Sequence, residues 1–246
     1  MTLATSKQLL PVYDKPMIYY PLTTLILAGV TEVCIVVNAE HKDGFFRLLG
    51  DGSNFGISIS FRVQSQPNGL VGALTTAEDK MGDGPVVVIL GDNLFYGSGV
   101  GTSLQQASLE HSGARLFCTE VPDPKGFGVV ELSPEGRIIS LEEKPPKPKS
   151  RLVATGLYFF DDSVWRRARK IKPSRRGELE ITDLNNDYLQ DGKLVATVLP
   201  RSTVWLDTGT IDGLSEASEF VRVLQSRQNF GIGSPEDAAR SRGLLR

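Results

Sequence analysis

Only two cysteines and two histidines occur in the 246 residues, and neither histidine, His41 or His111, stands beside a cysteine. A zinc centre or a histidine-based nucleophilic triad therefore has little to build on. Cys34 and Cys118 each sit inside an apolar run, EVCIVV and RLFCTEV, which predicts buried, reduced thiols and fits a reducing cytoplasm. No stretch approaches the roughly 20 apolar residues of a membrane span, and MTLATSKQLL lacks the charged-then-apolar order of an export signal. Charge of one sign is also lacking: 27 basic against 29 acidic residues leave a formal net charge of -2. That offers no broad attraction to nucleic acid or to an anionic membrane. What remains is an ordinary globular composition, 40% hydrophobic and 23% charged, whose partners are expected to be small molecules.

The first half alternates β-branched runs with helical patterns. Strands are predicted over Glu32 to Val37, Ser58 to Val63 and Pro85 to Leu90, and helices over Pro16 to Ala28 and Leu70 to Met81. Such alternation is the mark of βαβ units, and PVVVIL reads as a strand covered on both faces. An α/β fold follows. After Ser112 the strand candidates Arg115 to Val121, Phe127 to Leu132 and Ile138 to Glu142 crowd together, with Ser133-Pro134-Glu135-Gly136 as a hairpin turn. Helices return at Asp161 to Ile171, Glu180 to Gln190 and Ile211 to Gln225, the last with an apolar stripe through Leu214, Ala217, Val221 and Leu224. One domain over 1–230 is expected, in two parts, 1–112 and 113–230. Residues 231–246 have little apolar periodicity and read as a loosely held tail.

Chemistry concentrates at a few strand ends. Asp92 follows the buried strand in Leu-Gly-Asp-Asn, at the carboxyl end of a parallel sheet, where open α/β folds bind ligands. Alone, such an Asp is more often a turn residue than a metal ligand. Asp207 in Trp-Leu-Asp-Thr-Gly-Thr offers a second carboxylate, reading equally as a metal ligand or as a turn residue ahead of a helix. Two converging carboxylates could hold Mg²⁺, with water and substrate phosphates completing the octahedron. Glu142-Glu143-Lys144-Pro145 ends the hairpin strand, and a solvated edge of mixed charge is its ordinary reading. Lys7, in Ser-Lys-Gln-Leu-Leu-Pro, is ambiguous in isolation.

The segments SKQLLPVYDKPMIYYPL, LGDGSNFG, LGDNLFYG, ISLEEKP, TGLYFFD, RGELEITD and WLDTGT, in this order over nearly the whole chain, resemble those of the glucose-1-phosphate thymidylyltransferases. The resemblance implies a Rossmann-like mixed sheet flanked by helices, the nucleotide-diphospho-sugar transferase fold, and a homo-oligomer, a homotetramer. It implies transfer of a nucleotidyl group from dTTP to glucose 1-phosphate, giving dTDP-glucose and pyrophosphate with Mg²⁺. By the same resemblance Asp92 and Asp207 would be the metal ligands, with Asp92 part of the nucleotide site, and Lys7 would touch the nucleotide phosphates. Gln64 and Gly69 would face the base. Lys144 and Arg176 would grip the sugar phosphate, while Gly128 and Glu143 would contact the sugar hydroxyls. Lys7, Lys144 and Arg176 are the catalytic candidates, and no covalent intermediate is implied.

The resemblance has gaps. The family's first strand and its glycine-rich GGSGTRL loop are missing ahead of SKQLL, which removes phosphate-cradling N–H groups and an arginine. Without that strand a sheet ordered 3-2-1-4 is left with two unpaired edges, and Met1 reads as an internal methionine or a misplaced start. Leu70-Val71-Gly72-Ala73 stands where the family usually has Leu-Ala-Gln-Ala, Phe127 replaces a common tyrosine, and Ala154 a common valine. Two other readings accordingly stand beside the first: a non-catalytic sugar-nucleotide-binding or assembly paralogue, and an enzyme that uses another nucleotide or sugar phosphate.

Overall fold

The computed structural model describes residues 5–97, 100–109, 112–228 and 231–246; Met1 and His111 lie outside them. Along the chain run β1 (Pro11–Val12), β2 (Lys15–Pro16), α1 (Tyr19–Leu27), β3 (Glu32–Val37), α2 (Lys42–Leu49), β4 (Ser58–Val63), α3 (Leu70–Met81), β5 (Val86–Ile89), β6 (Asn93–Tyr96) and α4 (Val100–Leu109). There follow β7 (Ala114–Glu120), β8 (Gly128–Leu132), β9 (Ile138–Glu143), β10 (Leu152–Phe160), α5 (Val164–Ala168), α6 (Ile181–Gln190), β11 (Leu194–Val198), β12 (Val204–Asp207), α7 (Ile211–Gln228) and α8 (Pro235–Ser241). The alternation of strand and helix in the first half is as predicted, and β3, β4 and α3 occupy the residues assigned to them from sequence.

Contacts gather the chain into two compact units. The first is drawn from Met1–Val63, Ile89–Ser108 and Arg201–Arg246, the second from Gln64–Val88 and Leu109–Pro200. A cut at residue 112 follows the order of elements, whereas the chain crosses between units four times, so pairing across long sequence separations sets the boundary.

In the first unit β3 pairs with β4 in parallel, β1 with β2 and β6 with β12 antiparallel. Among the described residues β4 is the one strand partner of β3, so the parallel array stands in two pieces, with β5 joining a different sheet. The first helix starts at Tyr19 rather than at Pro16. Tyr13 holds a φ of 58°, and this left-handed turn lets Pro11 and Val12 pair with Pro16 and Lys15. Pro21 falls in the first turn of α1, where a missing N–H costs no intrahelical bond. The core here joins Val12, Met17, Tyr20, Leu94, Ala217, Val221 and Ile232.

The segment 231–246, read from sequence as loosely held, carries α8. The Ser234 hydroxyl caps it by accepting Asp237 N at 3.2 Å, Pro235 opens its first turn, and Ala238 and Ala239 are buried. A seven-residue helix turning only small side chains inward is too short to display an apolar stripe.

The second unit is built on a mixed sheet in the order β11-β7-β10-β8-β9, with β5 also on β10. β11 and β7 are parallel, and the β10-β7, β10-β8 and β8-β9 pairs are antiparallel. The predicted hairpin joins β8 and β9: Gly136, at φ 80°, donates its N–H to Ser133 O at 2.9 Å. β10 has no counterpart in the sequence assignment, yet its two faces bury Leu157 to Phe160. Its register slips between Ala154 and Tyr158, around Gly156 at φ 72°. Such a bulge re-aims side chains near it. Cys118 is fully buried in this core, as expected, and burial pushes its thiol up; Cys34 in the first unit is only half-buried.

Candidate active site

In the first unit, the antiparallel pairing of β6 with β12 sets Asn93 opposite Asp207. Asp92 immediately precedes β6, and Thr208 immediately follows β12. Thr208 donates both its N–H (2.9 Å) and its hydroxyl (2.7 Å) to the Asp92 carbonyl. The strand ends that carry the two candidate metal ligands are thus tied to each other at the Asp92 carbonyl. The Asp92 carboxylate accepts from Asn93 Nδ2 at 3.0 Å and from Lys7 Nζ. Lys7 stands on a single 3₁₀ turn, Lys7–Leu9, so this contact brings together two predicted residues 85 apart in sequence. Trp205 Nε1 donates to Asn93 Oδ1. Asp207 Oδ1 accepts Gly209 N at 2.8 Å, and Thr210 Oγ1 accepts Gly213 N at 3.0 Å across the start of α7.

No group of three or more metal-ligating side chains occurs among the described residues. Two carboxylates on tethered strand ends nevertheless suit a hard divalent cation, which takes one or two carboxylates and fills its shell with water and phosphate oxygens. A carboxylate offers about four acceptor positions, so the two described donors on Asp92 do not exhaust it.

The second unit carries the residues predicted to hold a sugar phosphate. Gly128 opens β8 and pairs with Glu143, the last residue of β9. Glu143 Oε2 accepts the Thr182 hydroxyl at 2.5 Å, while Oε1 lies 3.6 Å from Arg176 Nη1 and 4.0 Å from Lys144 Nζ. A β-carbon on residue 128 would come within 3.4 Å of the Thr182 hydroxyl and 3.5 Å of Glu143 Oε2. Glycine therefore keeps the carboxylate uncovered. Lys144 holds a φ of 42°, a left-handed conformation that costs a non-glycine residue on the order of 1 kcal/mol. Its N–H donates to Phe127 O at 3.0 Å, and Pro145 then ends the ladder.

Arg176 is shared. Besides Glu143 it reaches Glu178 Oε1 at 3.1 Å and Glu180 Oε1 at 3.4 Å, and Ser174 Oγ bonds Glu180 at 2.9 Å. Burial and the Glu180 carboxylate push Asp183 above the usual carboxylate range, which marks this as an acid-rich neighbourhood for one guanidinium. Arg176 remains 43% exposed, so an incoming dianion can compete for it.

Gln64 and Gly69 are also in the second unit. Gly69 caps α3 at φ 99°, and a β-carbon there would lie 2.6 Å from Leu179 O. Leu179 N donates to Asn68 O at 2.7 Å and Val71 N to Leu179 O at 3.2 Å. The segments Gln64-Ser-Gln-Pro-Asn-Gly-Leu and Gly-Glu-Leu-Glu-Ile-Thr-Asp, more than 100 positions apart in sequence, are stitched together there. Gly72 leaves its space to the side-chain amide of Asn68. Gln64 Nε2 donates to Asn68 Oδ1 at 2.7 Å and to Gly69 O at 3.2 Å.

The predicted residues thus form three groups: Lys7, Asp92 and Asp207 in the first unit; Gly128, Glu143, Lys144 and Arg176 in the second; Gln64 and Gly69, also in the second. Thr182, Asn93 and Thr208 were assigned no role from sequence. Thr182 lies inside the quoted RGELEITD segment, but nothing in its local pattern says that its hydroxyl meets residue 143.

The Nucleotidyl transferase family profile matches residues 1–223. Glucose-1-phosphate thymidylyltransferases of Mycolicibacterium smegmatis and Neisseria meningitidis are 48% and 49% identical over 246 and 245 residues, in each case 100% of this chain and 85% of the relative. A solved glucose-1-phosphate thymidylyltransferase of Bacillus anthracis, in complex with sucrose, has a TM-score of 0.83 at 38% identity, over 94% of this chain and 91% of that one. A UDP-glucose pyrophosphorylase complexed with UDP-glucose, at a TM-score of 0.78 and 24% identity over 90% of this chain and 91% of its own, shares the fold. With the family pattern running from 1 to 223 and close to half of all residues shared with named members, the chain belongs to the nucleotidyl transferase family, beside the glucose-1-phosphate thymidylyltransferases.

Proposed function

We propose that this nucleotidyltransferase joins dTTP and glucose 1-phosphate into dTDP-glucose, releasing pyrophosphate, with Mg²⁺ as its metal. The observation that carries the reading is the cluster around Glu143. A sugar 1-phosphate presents hydroxyls at one end and a dianion at the other. Glu143, a pure acceptor aimed by Thr182 and uncovered at Gly128, suits the hydroxyls; Lys144 and Arg176, both half-exposed beside it, suit the phosphate.

The chemistry is a displacement at phosphorus. An oxygen of the sugar phosphate attacks the α-phosphorus of the nucleotide, and the bond to the bridging oxygen breaks. Pyrophosphate leaves with that electron pair. No side chain need act as a nucleophile, so the protein contributes position and charge. Lys7 neutralises nucleotide phosphate charge, and Gln64 and Gly69 take the base. Asp92 and Asp207 are the residues that would hold Mg²⁺, which supplies charge neutralisation on the phosphates when bound. Assembly as a homo-oligomer in the cytoplasm goes with this reading, supported by the family resemblance.

Two measurements test it together: pyrophosphate release from dTTP, glucose 1-phosphate and Mg²⁺, and calorimetric titration of dTDP-glucose. Release abolished by Asp207→Asn, and product binding weakened at least tenfold by Glu143→Gln, are the expected results. A well-folded protein that neither turns over nor binds dTDP-glucose would overturn the proposal, and equal use of dTTP and UTP would remove its thymidine specificity.

A further inference from the structure

Lys7 is anchored by its backbone, and its side chain alone has room to move. Leu9 N donates to Ser6 O and Leu10 N to Lys7 O, both at 3.0 Å, which closes the 3₁₀ turn. Ile18 N to Gln8 O and Met17 N to Leu10 O, both at 2.9 Å, tie that turn to the segment leading into α1. Gly91 lets the turn lie close to the residues that follow β5: a β-carbon there would come within 3.0 Å of Gln8 Cγ. The Lys7 side chain, 35% exposed, then ends on Asp92 Oδ2, whose own side chain is 15% exposed. The withdrawn anion is thereby neutralised while the cation keeps a path to solvent.

What this contact opposes in a metal is its charge, since lone pairs remain. Asp92 keeps acceptor positions beyond its two described donors. A divalent cation on the same carboxylate would nevertheless stand a few ångström from the ammonium, where like charges repel far more strongly than in bulk water. A bare cation brings nothing to draw the ammonium away. A cation already chelated by a nucleotide triphosphate brings phosphate oxygens, and lysine is a point charge on a flexible stem that can pass to them.

We propose that Lys7 is a placeholder cation: in the unliganded protein it guards Asp92 against a bare divalent ion, and it moves to the phosphates when the metal arrives on the nucleotide. Metal and nucleotide then enter as one complex rather than in turn. This rests on the reading of Asp92 as a metal ligand, and adds to it a role for Lys7 before any nucleotide is bound.

The experiment titrates Mn²⁺, a paramagnetic substitute for Mg²⁺, into the full chain without nucleotide and follows the free ion by electron paramagnetic resonance. Lys7→Met keeps the apolar stem and removes the charge, and should tighten Mn²⁺ binding by about tenfold or more. Lys7→Arg, which keeps the charge, should bind as weakly as wild type. Adding Asp92→Asn to Lys7→Met should return the affinity to the wild-type level or below. Equal affinity in wild type and Lys7→Met, with binding lost in Asp92→Asn alone, would overturn the placeholder and leave Asp92 as a ligand. Tightening by Lys7→Met that survives Asp92→Asn would put the metal elsewhere, and the reading of Asp92 would fall together with the proposal. An affinity indifferent to both substitutions would overturn both as well.

Discussion

The acidic strand ends of the first unit and the acidic cluster of the second use the same functional group and hold it differently. At Asp92 the fold fixes the main chain: Thr208 grips the carbonyl twice, and the carboxylate receives one amide and one ammonium. At Glu143 the fold fixes the side-chain oxygens themselves, Oε2 from Thr182 and Oε1 from the side of Arg176 and Lys144. The difference follows from what each group would bind. A metal ligand must be placed while its lone pairs stay available; an acceptor for sugar hydroxyls must point in one direction, since a hydrogen bond weakens steeply with angle.

The largest expected effect sharpens that contrast. Asp207→Asn keeps the shape but halves the anionic charge for a cation, and Mg²⁺-dependent pyrophosphate release should fall by about 10³-fold or more. The melting temperature should move little, because the amide oxygen of asparagine can still accept the Gly209 N–H. Activity near wild type would refute the metal role. Glu143→Gln should be smaller and of another kind: kcat/KM for glucose 1-phosphate down about 10²-fold, with the KM for dTTP unchanged. An equal rise in both KM values would erase the distinction between the two regions.

Thr182→Val removes only the aiming hydroxyl at constant shape. A loss of about tenfold in kcat/KM for glucose 1-phosphate is expected, with Thr182→Ser restoring it. Failure of serine to rescue would mean that Thr182 packs rather than positions.

The smallest effect is on stability. Burial acts to raise Asp161, but donors from Ser163, Tyr188 and Gly113 outweigh it and hold the carboxyl below its ordinary value of 3.8. A depressed carboxyl stabilises the fold above its unfolded value, and that contribution is lost as the pH falls below about 4. Urea unfolding followed from pH 6 to pH 3 should show a shallower decline for Asp161→Asn than for wild type, while the sites of the first unit are unaffected.

Local pattern was legible where one residue type dominates a short run. EVCIVV and SISFRV became β3 and β4, and LVGALTTAEDKM became α3, each within its expected limits. β10 was not assigned: Thr155 and Gly156 interrupt LVATGLYFF, and the strand is buried on both faces, so it shows no alternation. The helix placed at Asp161 to Ile171 shrank to α5 because Asp161 accepts the Ser163 N–H and hydroxyl in a turn instead of continuing the helix.

The sequence by itself determined the family, the acidic strand ends and the identity of the charged residues, because these are carried by short motifs whose order along the chain is directly readable. Only the tertiary structure decided which of them meet. Lys7 reaches Asp92 across 85 positions, Thr182 reaches Glu143 across 39, and Asn68 occupies the space that Gly72 vacates. Such contacts depend on side-chain direction and strand register, and a hydroxyl or an amide gives no sign in sequence of the partner it will find.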